Sequence, residues 1–132
     1  ELLTQFRDKS ISLRMDVADE LPKAFAEREA VHQIVSRLLT NACNASSPNT
    51  EVVLTARSQN NDYVLISVHD SGEAIPPEEQ EHVFTRIYHD SAGLSIAKAL
   101  AEASGGRIWL ESKEGSGSTF SVLLPTNHAN LA

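Results

Sequence analysis

A single cysteine, Cys43, leaves this chain of 132 residues no internal disulfide and suits a reducing compartment, first of all the cytoplasm. Cations are scarce: 11 Lys and Arg stand against 18 Asp and Glu, a net charge of -7. That composition excludes nucleic acid as an expected partner, because phosphate-backbone binders need clustered Lys and Arg. It does not exclude one nucleotide, which local backbone dipoles and a metal hold whatever the global charge. No apolar run approaches the roughly 20 residues that cross a bilayer, and no signal-peptide pattern opens the chain. The first residue is Glu1 rather than methionine, so the expectation is a piece of a longer protein, with a membrane-anchored parent still open. No internal repeat, linker or low-complexity segment divides it. Length and 41% hydrophobic residues fit one globular domain over 1–132, with a frayed tail after about 125.

The patterning then gives an order of elements. Ile11–Val17 alternates apolar and polar residues, which predicts a half-buried strand. From about Glu27 the period changes. Val31, Ile34, Val35, Leu38, Leu39 and Ala42 follow one helix face, up to the breakers Ser46-Ser47-Pro48-Asn49. Strands near 51–57 and 62–69 read as a hairpin around Ser58–Asn61. A loop carries Asp70–Pro77, and Pro76-Pro77 can open a short helix through Phe84. Ser91 is a candidate cap for a helix over about 92–103, which should stop at Gly105-Gly106. Strands over 107–113 and 118–124 form a last hairpin around Gly115–Gly117. The sum is an α/β chain of the α+β two-layer kind: a mixed, mainly antiparallel sheet with helices on one face.

Four places carry possible chemistry, and each has a plain alternative. Asn41 borders the apolar stripe of the first long helix, with Arg37 one turn before it and Asn44 three residues after. Its amide oxygen is a hard neutral ligand suited to Mg²⁺; taken alone, the helix favours an ordinary polar residue on an exposed face. Asp70-Ser-Gly72 follows a strand, where a carboxylate can accept a hydrogen bond from a base amine and glycine lets the backbone pass close to a flat ring. Asp and Gly are also ordinary turn residues. Gly93 and Leu94 stand at a helix start, whose free N–H groups and dipole favour phosphate. Gly115–Phe120 is a hairpin that can bring Thr119 towards a base or simply turn the chain.

Each signal is weak, but their order is specific. Leu38–Ala42 resembles the N box, Asp70–Gly72 the G1 box, Val83–Tyr88 the F box and Gly93–Lys98 the end of the G2 box of the histidine kinase ATPase domain, within the gyrase–chaperone–kinase superfamily. Gly105–Ser112 and Gly115–Phe120 resemble that family's closing hairpin. The resemblance runs from about Ile11 to Leu124 and implies the Bergerat ATP-binding fold. It implies ATP and Mg²⁺ as ligands, with Asn41 on the metal, Asp70 on the adenine amine, Gly72 beside the ring, Gly93 and Leu94 by the phosphates, and Thr119 supporting Asp70 through a water. It implies a protein histidine kinase whose phosphoacceptor lies on a separate helical dimerisation domain, with a response regulator downstream. No residue here would be catalytic in itself, and the domain alone would be a monomer, inactive without its partner.

The sequence also departs from that family. Arg37 stands where Asn, or Glu in relatives, is usual; it can grip phosphate or lie on the surface. Asn44 replaces a frequent phosphate-binding lysine, and Ala45 a frequent aromatic. Ala74 replaces the second G1 glycine. Eight residues separate Phe84 from Gly93, a short lid without the usual glycine pair, which should cost phosphate contacts and closure. His32 lacks a phosphoacceptor motif, and His82, His89 and Asp90 match no standard metal spacing. The runner-up functions are a degenerate domain used as a docking surface and an anti-sigma-factor-like serine kinase on the same fold.

Overall fold

The computed structural model describes residues 2–21, 24, 28–85 and 93–126. Five strands form one sheet in the order β1-β2-β3-β5-β4, from β1 (Ser12–Val17), β2 (Glu51–Gln59), β3 (Tyr63–Asp70), β4 (Arg107–Lys113) and β5 (Gly117–Pro125). Among the strands of the described residues only β1 with β2 is parallel; the other three strand pairings are antiparallel. The mixed sheet expected from the sequence is present. The long helix α2 (Arg28–Ala45) and the later α4 (Leu94–Ala103) pack against each other and onto the sheet. A one-turn α3 (Pro77–Gln80) starts after Pro76.

Alternation along the strands sorts the two faces. Val64, Ile66, Val68 and Asp70 of β3 lie level with Leu124, Val122, Phe120 and Ser118 of β5, and all eight are buried. Ile34, Leu38, Ala42, Ala97 and Ala101 close over that face from the helices. The opposite face carries polar pairs instead, Ser67 with Ser121 at 2.9 Å and His69 with Thr119 at 2.8 Å.

The hairpin expected at Ser58–Asn61 forms, with Asn60 and Asn61 both at positive φ, the conformation that matches the twist of paired strands. Gly105 at φ 83 ends α4 as expected, and the Gly106 N–H returns to the Ala101 carbonyl.

One element is added and two expectations are corrected. A helix α1 (Leu2–Asp8) precedes β1 and buries Phe6. The strand over Ile11–Val17 is not half-buried along its length. β1 is the sheet edge, so Met15 and Val17 lie on the helix side beyond the helices, 65% and 48% exposed. The N-cap of α4 is Gly93 rather than Ser91. The short lid, with Tyr88, His89, Asp90 and Ser91, and the tail from 127 lie outside the described residues.

Candidate functional site

The sheet's central strand delivers Asp70 as its last residue, 1% exposed. Its Oδ1 accepts the Gly72 backbone N–H at 2.9 Å, a local turn that fixes the carboxylate. Its Oδ2 is buried and has no hydrogen-bond partner. Loss of water raises the Asp70 pKa above the ordinary value of 3.8; the Gly72 N–H and the neighbouring His69 act in the opposite direction. An orphaned carboxylate oxygen in a folded core is costly unless something else supplies its donor. An exocyclic amine of a purine has the donor it lacks.

Glycine is required beside it. A Cβ on Gly72 would overlap the carbonyl oxygen of Ala45, the last residue of α2. The G1-like loop is therefore pressed against the end of the helix. Farther on, the Ile75 N–H donates to Ser112 Oγ at 2.8 Å, and Ser112 Oγ is 2.8 Å from Ser118 Oγ. Gln80 also donates to the Ile75 carbonyl, so the loop is tied to β4 and β5. Ala74 is not among the residues at positive φ, so replacing the second glycine imposes no backbone strain.

At the other end, α2 meets the start of α4. The Arg37 side chain fills the space beside Gly93, where a Cβ would sit 3.0 Å from Arg37 Cζ and closer still to Nη1. Gly93 holds φ 73 with no side-chain cap, and Leu94 points into the core, so only its backbone can face a ligand. Arg37, Asn41 and Ala45 thus form one i, i+4, i+8 row. It starts at Gly93 and ends at Gly72. Eight residues of helix rise about 12 Å, which matches the reach of an extended nucleotide from base to phosphates. Asn41, half-buried, is midway.

One sequence-based assignment does not join this row. Thr119 pairs with His69 on the sheet face away from the helices; the residue level with Asp70 on its own face is Ser118, 3% exposed. Neighbours along a strand face opposite ways, which puts Thr119 on the face away from Asp70. Asn44, seven residues after Arg37 and so on the same flank of α2, also borders a hollow at the α1–α2 junction with Gln5, Lys9 and Cys43. Lys9 donates there to the carbonyls of Cys43 and Asn44 at 3.0 and 3.1 Å and so caps α2. Phe84 meets Phe120 edge-on, with ring centroids 5.9 Å apart, which anchors the F-box-like segment. Among the described residues no cluster of three His, Cys, Asp or Glu could hold a metal.

Comparison with known proteins agrees. Residues 26–128 match the family described as histidine kinase-, DNA gyrase B-, and HSP90-like ATPase. The adaptive-response sensory kinase SasA of Prochlorococcus marinus (strain MIT 9313) is 32% identical over 98% of this chain, and the SasA of Microcystis aeruginosa 31% over 95%. The chain spans only 38% and 36% of those relatives. The catalytic domain of histidine kinase ThkA superposes with a TM-score of 0.84 at 28% identity, over 95% of this chain and 84% of that one. Full-length ShkA in complex with AMPPNP gives 0.81 at 25% identity, over 96% of this chain and 28% of that one. The chain belongs to the histidine kinase-, DNA gyrase B- and HSP90-like ATPase family, as an ATP-binding catalytic domain of the sensor histidine kinase kind.

Proposed function

We propose that this domain holds Mg-ATP for transfer of the γ-phosphoryl group to a histidine on a separate helical dimerisation domain of its parent kinase, from which a response regulator is phosphorylated in turn. The P–O bond to the β-phosphate breaks, a P–N bond to the imidazole forms, and ADP leaves. No side chain here attacks; the domain contributes position and electrostatics. In this reading Asp70 Oδ2 accepts the adenine amine, Gly72 lets the ring approach, and Ser118 takes the supporting place first given to Thr119. Gly93 and Leu94 offer backbone N–H groups to the phosphates. Asn41 ligates Mg²⁺, which when bound shields the phosphate charge. The domain works in the cytoplasm, where ATP is available and Cys43 stays reduced, and is monomeric alone. Among the described residues no helix is long and apolar enough to cross a membrane.

The observation that carries the reading is the buried Asp70 oxygen without a donor. Asp70→Asn replaces that anionic acceptor with an amide. Its adenosine affinity should fall about 10- to 100-fold, the scale of a hydrogen bond to a charged group. Its thermal midpoint should hold or rise, because an unpaired buried charge is gone. Calorimetric titration and a thermal melt read both. An unchanged affinity for adenosine removes Asp70 from the site.

A further inference from the structure

The guanidinium of Arg37 lies against Gly93 at the amino end of the ten-residue α4. That is the positive end of the helix dipole, where a second positive charge is unfavourable and an anion is favourable. Arg37 Nε is buried with no hydrogen-bond partner. The side chain as a whole is only half-buried, so the unmet donor is this one N–H, and an anion seated between the guanidinium and the helix end both meets it and suits the dipole. Among the described residues, Lys98 pairs with Glu102 on α4, and Lys9 caps α2 at its far end. Asn44, on the same flank of α2, brings no charge. Arg37 is also one turn before Asn41, so its fork and a metal held by Asn41 approach the same phosphates from adjacent turns.

We propose that Arg37 binds the terminal phosphates of the nucleotide and takes over part of the charge neutralisation otherwise left to Mg²⁺, so that this domain prefers triphosphate and holds it with little dependence on divalent metal. The inference rests on the nucleotide site proposed above and assigns Arg37 a specificity role within it. A planar guanidinium suits this task because it donates two parallel hydrogen bonds to phosphate oxygens, which a lysine does not.

The test is calorimetric titration of the wild-type domain, Arg37→Ala and Arg37→Lys with adenosine, ADP and a non-hydrolysable ATP analogue, each in Mg²⁺ and in EDTA. The wild type should bind the analogue within about fivefold in the two conditions. Arg37→Ala should lose about 10- to 100-fold for the analogue in EDTA, less for ADP, and regain a strong Mg²⁺ dependence, with adenosine within twofold of wild type. Arg37→Lys should fall between. Arg37→Gln, which keeps the chain length and drops the charge, serves if the alanine variant fails to fold. Unchanged analogue affinity, or an equal loss for adenosine and analogue, makes Arg37 a packing residue and overturns the inference. A wild type that binds no adenosine fails the nucleotide site itself, and a wild type that binds adenosine but no analogue fails only the role of Arg37.

Discussion

The two ends of the α2 row are built differently. At the Gly72 end the obstacles are main chain. Ala45 O stands against Gly72, the Asp70 carbonyl stands against Gly117, and a chain of hydroxyls through Ser112 fixes the loop. At the Gly93 end the neighbour is one long, flexible side chain. The first end follows the family pattern, and the second carries the departures at Arg37 and in the lid. A rigid base pocket beside an adaptable phosphate end lets recognition of adenine stay constant while the handling of the phosphates changes.

The largest effect that tests this contrast is Gly72→Ala. Its methyl meets a carbonyl oxygen that cannot turn away, so the last turn of α2 must shift, at about 1–3 kcal/mol of stability. Adenosine affinity should fall by more than tenfold, read by titration beside a thermal melt. A Gly72→Ala domain that keeps both would show that the base end is adaptable too.

A smaller effect comes from acid. Asp70 has its pKa raised in the fold, chiefly by desolvation. Its contribution to stability is therefore fully present below 3.8 and is lost as pH rises through the raised value. Adenosine binding needs the anion and runs the other way, weakening as pH falls through the same window. Titrations and melts across mildly acidic pH should show these opposite slopes, and Asp70→Asn should flatten both. Parallel slopes would mean that another group governs the base end.

The smallest effect separates two neighbours. Ser118→Val removes the hydroxyl tied to Ser112 on the Asp70 face, and adenosine affinity should fall about 3- to 10-fold. Thr119→Val removes the hydroxyl bonded to His69 on the other face and should cost about 0.5–1 kcal/mol of stability with adenosine binding within twofold. The reverse pattern would return the supporting role to Thr119.

Much of this was legible in the sequence because the signals are local. The apolar row of α2, the Asn pair at the β2–β3 turn and the glycine stop of α4 each carry their own cause. What the sequence does not announce is set by pairing. Alternation in 11–17 says that one face is apolar, but not that β1 ends at the sheet edge, where Met15 and Val17 pass beyond the helices. The phase of β5 is fixed by its register with β3, and a slip of one position separates Ser118 from Thr119. The helix α1 has little to mark it beyond Leu2 and Phe6 four apart and no breaker until Ser10, which stands at positive φ. Within the site, Asp70 and Gly72 could be picked out by type, whereas the meeting of Arg37 with Gly93 joins residues 56 positions apart and exists only in the folded chain.

That meeting makes positions 37 and 93 dependent on each other as the sequence drifts. A side chain at 93 meets the far end of Arg37, which must swing aside or give way to a shorter residue at 37; what then remains is the strain of a left-handed backbone, about 1–2 kcal/mol. No such adjustment opens Gly72 or Gly117, which face backbone. One end of the site can therefore be reached by paired substitutions, each tolerable in sequence, while the other is closed to gradual change.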